Sequence, residues 1–116
     1  MARIERVPNV VAALLRRRGR YGSPQVRVGY AQSYAVHVHE DLNARHVTGE
    51  AKFLERPARE MAKMLGRMVR DAVRAGTPLV RALYAAGLRL QRESQSRCPV
   101  KTGALRASAF TKVETQ

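Results

Sequence analysis

An apolar repeat at helical spacing, cut once by Gly76-Thr77-Pro78, constrains this chain more than any other feature. Leu54, Ala58, Met61, Leu65, Met68, Val69, Ala72 and Val73 recur at intervals of three and four, which predicts a helix over 54–75. Pro57 is tolerated in its first turn, where a backbone N–H is dispensable, and Gly76 supplies the left-handed stop. Thr77 is expected to cap a second helix, with Pro78 in its first position. Val80, Leu83, Tyr84, Gly87 and Leu90 form that helix's expected buried face, and Pro99 ends it after Arg97. A connection this short sets the two helices as an antiparallel hairpin. Gly87 inside a helix costs about 1 kcal/mol against alanine, which a close helix–helix approach would explain.

Two further patterns have a period of two. Val26, Val28 and Tyr30, then Tyr34, Val36 and Val38, alternate on either side of Ala31-Gln-Ser33, which predicts a β-hairpin over 25–39. Phe110-Thr-Lys-Val113 alternates again and predicts a third strand. A lone hairpin is marginal in water, so this one must pack on the helices. Val7, Val10, Val11, Leu14 and Leu15 fit a short N-terminal helix beginning near Pro8. The expected fold class is therefore α+β: a small antiparallel hairpin or sheet packed on a long antiparallel helical hairpin, with a short N-terminal helix.

The 116 residues suit one domain. It divides into a basic segment (1–24), the β-hairpin (25–39), a polar loop (40–53), the helical hairpin (54–97), and a turn with the last strand (98–116). Aromatic residues are 5% of the chain and tryptophan is absent. The core must rest on Leu, Val, Met and Ala, and so thin a core gains from neighbouring subunits.

The formal net charge is +13, carried mostly by arginine. That balance favours an acidic protein surface or nucleic acid as a partner and does not bear on fold. Cys98 is the single cysteine, so no intrachain disulfide forms. Val10 to Leu15 is too short for a signal core and runs into Arg16-Arg-Arg18. No stretch approaches the roughly 20 apolar residues of a membrane span.

Few residues suggest chemistry. His37 and His39 share a strand face, with Glu40, Asp41 and His46 close behind, the donor types of a zinc site. The histidines equally form the less apolar face of a strand, and no His-Glu-x-x-His helix or second cysteine accompanies them, so no metal or cofactor is expected. Glu40 and Asp41 are adjacent and point apart, which does not suit paired acid–base work. No Gly-x-Ser-x-Gly elbow is present, and no enzyme is expected. Thr102-Gly103 reads as a turn, since one glycine does not make a phosphate loop. Arg16, Arg17, Arg18 and Arg20 form the densest cationic cluster, suited to phosphate or to a solvated helix end. Arg67, Arg70, Arg74 and Arg81 lie on the polar side of the helical hairpin.

Two stretches carry a resemblance. Tyr34, Ala35, Val38, His39, Glu40, Ala44, Arg45, His46, Lys52, Phe53, Leu54, Glu55, Pro57 and Ala58 match one pattern. Pro99, Val100, Thr102, Gly103, Leu105, Arg106 and Ser108 match a Pro-Val-Asp-Thr-Gly-x-Leu-Arg-x-Ser turn. Over about residues 25–113 the chain resembles the tail-completion and head-to-tail joining (neck) proteins of tailed bacteriophages. Lys101 replaces the aspartate of that pattern, and the turn follows the His-Glu strand where many relatives place it before.

The resemblance implies a non-enzymatic virion protein, assembled in the host cytoplasm as a homo-oligomeric ring, a hexamer or dodecamer, between connector or adaptor and tail tube or terminator. His37, His39, Glu40, Asp41, Arg45, His46, Lys52, Phe53, Thr102, Gly103, Leu105 and Arg106 are its expected subunit or ring contacts, with Phe53 and Leu54 also anchoring the polar loop to the core. Arg16, Arg17, Arg18 and Arg20 would meet packaged DNA or an acidic partner. The alternative is a small basic nucleic-acid-binding protein.

Overall fold

The computed structural model describes residues 2–6, 11–16, 24–31, 52–98 and 103–114, the first two spans by backbone alone. The fold is α+β. Strands β1 (Ala2–Arg6), β2 (Val11–Arg16), β3 (Gln25–Tyr30) and β4 (Ala109–Glu114) form one antiparallel sheet in the order β1-β2-β3-β4. Helices α1 (Glu55–Glu60), α2 (Ala62–Arg74), α3 (Leu79–Arg97) and α4 (Ala104–Ala107) lie between β3 and β4 in the chain.

The N-terminal helix expected over residues 1–15 does not form; β1 and β2 take its place. Val11, Ala13 and Leu15 pair with Tyr30, Val28 and Val26. Spacing alone cannot separate helix from strand in so short an apolar run. What decides is a partner elsewhere in the chain: β3, whose Val26, Val28 and Tyr30 are fully buried, offers an edge that β2 fills. The first strand expected in the hairpin is β3 and the expected C-terminal strand is β4, but β2 and β4 occupy both edges of β3, so it does not pair as the expected 25–39 hairpin. The second expected hairpin strand, 34–39, lies outside the described residues.

The expected first helix is interrupted at Met61 (φ −91°, ψ −2°), giving α1 and α2. After α2, Gly76 adopts φ +103°. Gly76 N–H donates to Val73 O at 3.0 Å and Thr77 N–H to Ala72 O at 2.9 Å. That pair of bonds closes the helix in a Schellman turn, which needs a left-handed residue where glycine stands. Pro78 is the N-cap of α3 (φ −56°, ψ 142°), and no side chain caps it. Thr77 therefore precedes the cap and does not serve as it. Helix α3 packs against α2 and lies across β3 and β4.

Gly87 marks a close approach of α3 to the sheet. A Cβ there would stand 2.8 Å from Thr111 Cγ2 and Val26 Cγ1 and 3.3 Å from Val28 Cγ2. Its cost in helix propensity is thus explained by a helix–sheet approach, and not by the expected helix–helix one. Phe53 and Leu54, at the entry to α1, and Leu105, in α4, join Val28, Leu83 and Leu90 in one core.

Candidate functional site

Three places on the described surface and interior bear on function: the corner built by the two resemblance motifs, a basic ridge on α2, and the β4 flank of α3.

The corner is interior. Tyr30 and Ser94 share a hydrogen bond of 2.7 Å between buried hydroxyls, and the Tyr30 ring meets Phe53 edge-on at 5.0 Å. Two aromatic rings prefer this arrangement because the positive edge of one meets the negative face of the other. Burial holds the Tyr30 phenol above its ordinary range, against the lowering effect of the Ser94 bond. Cys98 is fully buried, and burial pushes its thiol up to about 11, partly opposed by the Arg106 charge. A thiol held neutral in an apolar setting is inert as a nucleophile.

The Thr-Gly-x-Leu-Arg-x-Ser stretch fastens this corner. Gly103 sits at φ +84° before α4. Leu105 is buried. Gln95 Nε2 donates to Arg106 O at 3.0 Å, Arg106 Nη2 approaches Cys98 O at 3.5 Å, and Ser108 Oγ closes onto Leu105 O at 2.7 Å. Its described residues form a turn that ties α3 to β4. At the other motif, Lys52 opens the first helical turn with φ +57°, and its carbonyl accepts from Arg56 N–H at 2.9 Å. Arg97 pairs with Glu60 at 2.8 Å and Glu93 at 2.9 Å, tying the end of α3 to α1.

Of the expected contact residues, the structure places Phe53 and Leu105 inside the chain's own core and leaves Lys52, Gly103 and Arg106 partly accessible. Arg16 ends β2, described by backbone alone. His37, His39, Glu40, Asp41, Arg45, His46, Thr102, Arg17, Arg18 and Arg20 lie outside the described residues. Among the described residues no cluster of three or more His, Cys, Asp or Glu could hold a metal. None of their helices is long and apolar enough to cross a membrane.

On α2, Lys63, Arg67, Arg70 and Arg74 recur at four, three and four and are all exposed. That spacing keeps them on one helical face, a ridge of ~16 Å at 1.5 Å per residue. Asp71 approaches Arg70 at 4.0 Å, with both side chains more than half exposed, so screening leaves the pair weak. The ridge can hold phosphates or acidic side chains. Its arginines were legible in the sequence; Lys63, which completes the row, shows the same spacing.

The third place was missed. Val80 and Tyr84, expected on the buried face of α3, are exposed, and so are Leu88 and Val113 on β4. Gln91 accepts from Thr111 Oγ1 at 2.5 Å and Gln95 donates to α4, so the side of α3 that carries them faces β4. Tyr84 and Leu88 continue that side at helical spacing.

The chain matches no family model, no curated protein and no solved structure.

Proposed function

We propose that the chain is a non-enzymatic bacteriophage virion protein, a neck or tail-completion component that forms an oligomeric ring joining the head connector to the tail. The observation that carries this reading is the pairing of two motifs in one small, strongly basic chain. One is the His-Glu strand end leading to Lys52-Phe-Leu-Glu-Arg-Pro-Ala58; the other is Thr102-Gly-Ala-Leu-Arg-Ala-Ser108. Their apolar anchors Phe53, Leu54 and Leu105 meet in one core. Both motifs then serve as fasteners of the helices to the sheet, a role compatible with a scaffold and with no chemistry at the corner.

Ring assembly is supported by the β4 flank, where apolar side chains stay exposed beside a strand with one described neighbour. Hexameric or dodecameric closure, contact with connector and tail tube or terminator, and residence in the virion belong to the same proposal. The basic surface would meet acidic connector faces or packaged DNA.

Electron microscopy of lysates from a phage lacking this gene tests the reading. Filled heads without attached tails are the expected result. Normal, infectious particles would remove the joining role.

The ridge of Lys63, Arg67, Arg70 and Arg74 favours a second reading, a small nucleic-acid-binding protein. Each phosphate neutralised on duplex DNA contributes a slope of about −0.9 in log affinity against log salt. A steep salt dependence in a monomer or dimer supports this alternative, and weak binding by a closed ring supports the first reading.

A further inference from the structure

We infer that the two outer strands of the sheet are the two halves of a single contact, in which β4 of one copy pairs antiparallel with β1 of the next. The inference rests on the ring reading above and names its subunit contact.

Three observations carry it. The first is direction. In the order β1-β2-β3-β4 with every pairing antiparallel, β1 and β4 run in opposite senses. A second copy set beside β4 in the same orientation therefore presents its β1 antiparallel, and the sheet continues with its own hydrogen-bonding pattern. Each of these strands has one neighbour among the described residues, and an unpaired strand edge is a template for another strand.

The second is charge. β1 reads Ala2-Arg-Ile-Glu-Arg6 and β4 reads Ala109-Phe-Thr-Lys-Val-Glu114. Antiparallel alignment of Glu114 with Arg3 sets Val113 with Ile4 and Lys112 with Glu5. Opposite charges then face each other at both ends of an apolar pair, and such cross-strand pairs stabilise a sheet. A shift of one residue in one direction sets Lys112 against Arg6. In the other direction it sets Lys112 against Ile4. One register thus satisfies both charges. Within its own chain Glu114 pairs with Arg27 on β3, at 2.9 Å, so the proposed contact adds Arg3 as a second cation on its other side.

The third is the apolar flank. Val113 and Leu88 are each 43% exposed and Tyr84 is 39% exposed. Thr111 lies at the level of Gln91 and Gly87; β4 runs against α3, so Val113 falls toward Leu88 and Tyr84. In the chain itself α1 lies against β1. When β1 of the next copy adds to β4, its α1 arrives on the Tyr84–Leu88 side, and sheet and helical layer extend together. The contact is head to tail, so repeated use closes a ring or runs on as a filament according to its rotation.

Cross-linking tests it. Purified I4C and V113C proteins, each with native buried Cys98, are mixed and oxidised, with wild type as control. A disulfide-linked species in the mixture, absent from either protein alone, is the expected result, and the I4C/V113C double variant should give a ladder. In parallel, K112E should weaken self-association at least tenfold by analytical ultracentrifugation, and K112E/E5K should restore it; circular dichroism verifies that each variant folds. Cross-linking of V113C to itself as fast as in the mixture would overturn the inference in favour of a two-fold β4–β4 contact. Oligomers that persist in K112E without a mixed cross-link would overturn it while sparing the ring. A wild-type monomer at all concentrations would overturn both the contact and the ring, whereas a confirmed contact beside tailed, infectious deletion phage would overturn only the joining role.

Discussion

The two long sides of α3 are both apolar, yet they end in different surroundings. Leu83, Ala86, Gly87 and Leu90 lie against the sheet and the other helices and are buried. Val80, Tyr84 and Leu88 follow the β4 border and remain exposed. Composition does not separate the two sides; the position of the sheet's last strand does. Where β3 and β4 supply a surface, the chain satisfies its own apolar groups. Beyond β4 no further described strand supplies a surface, and the same residue types are left facing outward. The inner side should therefore respond to mutation through stability and the outer side through association.

The comparison breaks most visibly at the inner side. Leu90→Ala removes a fully buried side chain and leaves a cavity that close-packed neighbours only partly fill. A loss of about 2–5 kcal/mol follows for such truncations, read as a lower urea midpoint with an unchanged denaturant slope. A loss under ~1 kcal/mol would mean that this side is loosely packed and that the contrast is false.

Gly87→Ala sharpens the contrast, because two effects oppose. Alanine gains about 1 kcal/mol of helix propensity. Its Cβ, however, enters a space 2.8 Å from two β-branched side chains, Val26 and Thr111. Such side chains have few rotamers to yield into, and overpacking costs about 1–3 kcal/mol. The expected net result is a destabilisation of about 1 kcal/mol by thermal or urea unfolding. A stabilised variant would show that helix and sheet are less closely apposed than the geometry gives.

The buried hydroxyl pair gives an effect of similar size that is more specific. Tyr30→Phe strands the Ser94 hydroxyl and Ser94→Ala strands that of Tyr30. Each single change should lose about 1–2 kcal/mol, since a buried polar group without a partner bears its full desolvation penalty. The double variant should lose less than the sum of the two, and a double-mutant cycle measures that coupling. Strict additivity would mean that the hydroxyls are satisfied separately.

These residues also show what could be read in advance. Gly76 as a helix stop was legible because a Schellman turn demands one local conformation. β3 and β4 were legible because inward and outward positions alternate in Val26-Arg27-Val28 and in Phe110-Thr-Lys-Val113. The N-terminal strands were not, since the run through Val10, Val11, Ala12, Ala13, Leu14 and Leu15 hides its alternation and the deciding partner, β3, is distant in sequence. Gly87 announced a close approach, but spacing along one helix cannot say whether a helix or a sheet approaches. For the same reason Val80 and Tyr84 read as buried. Of the candidate site, the arginine row on α2 was visible as a pattern, while the exposed flank depends on where the sheet ends. Phe53, with Leu54, was expected to anchor the polar loop to the core and is buried there, whereas Leu105 followed from its motif only as an expected contact and its burial is a property of the assembled core.

The smallest expected effect on stability belongs to Leu88→Gln, and it tests the outer side directly. Glutamine, like leucine unbranched at Cβ, has a similar helix propensity and replaces an exposed apolar end by an amide that water solvates. Surface substitutions of this kind change stability by no more than about 0.5 kcal/mol, so the unfolding midpoint should barely move. Association should respond. A residue near the centre of a packed contact loses far more on becoming polar than one at its rim, and light scattering should report a smaller species than wild type at the same concentration. Gln91, one turn along the same side, is already an amide bonded to Thr111, so the substitution extends an existing polar row and adds no new charge. Equal oligomeric size for both proteins would place the subunit contact away from α3; a large fall in stability would mean that Leu88 serves the chain's own core and that the two sides of the helix do the same work.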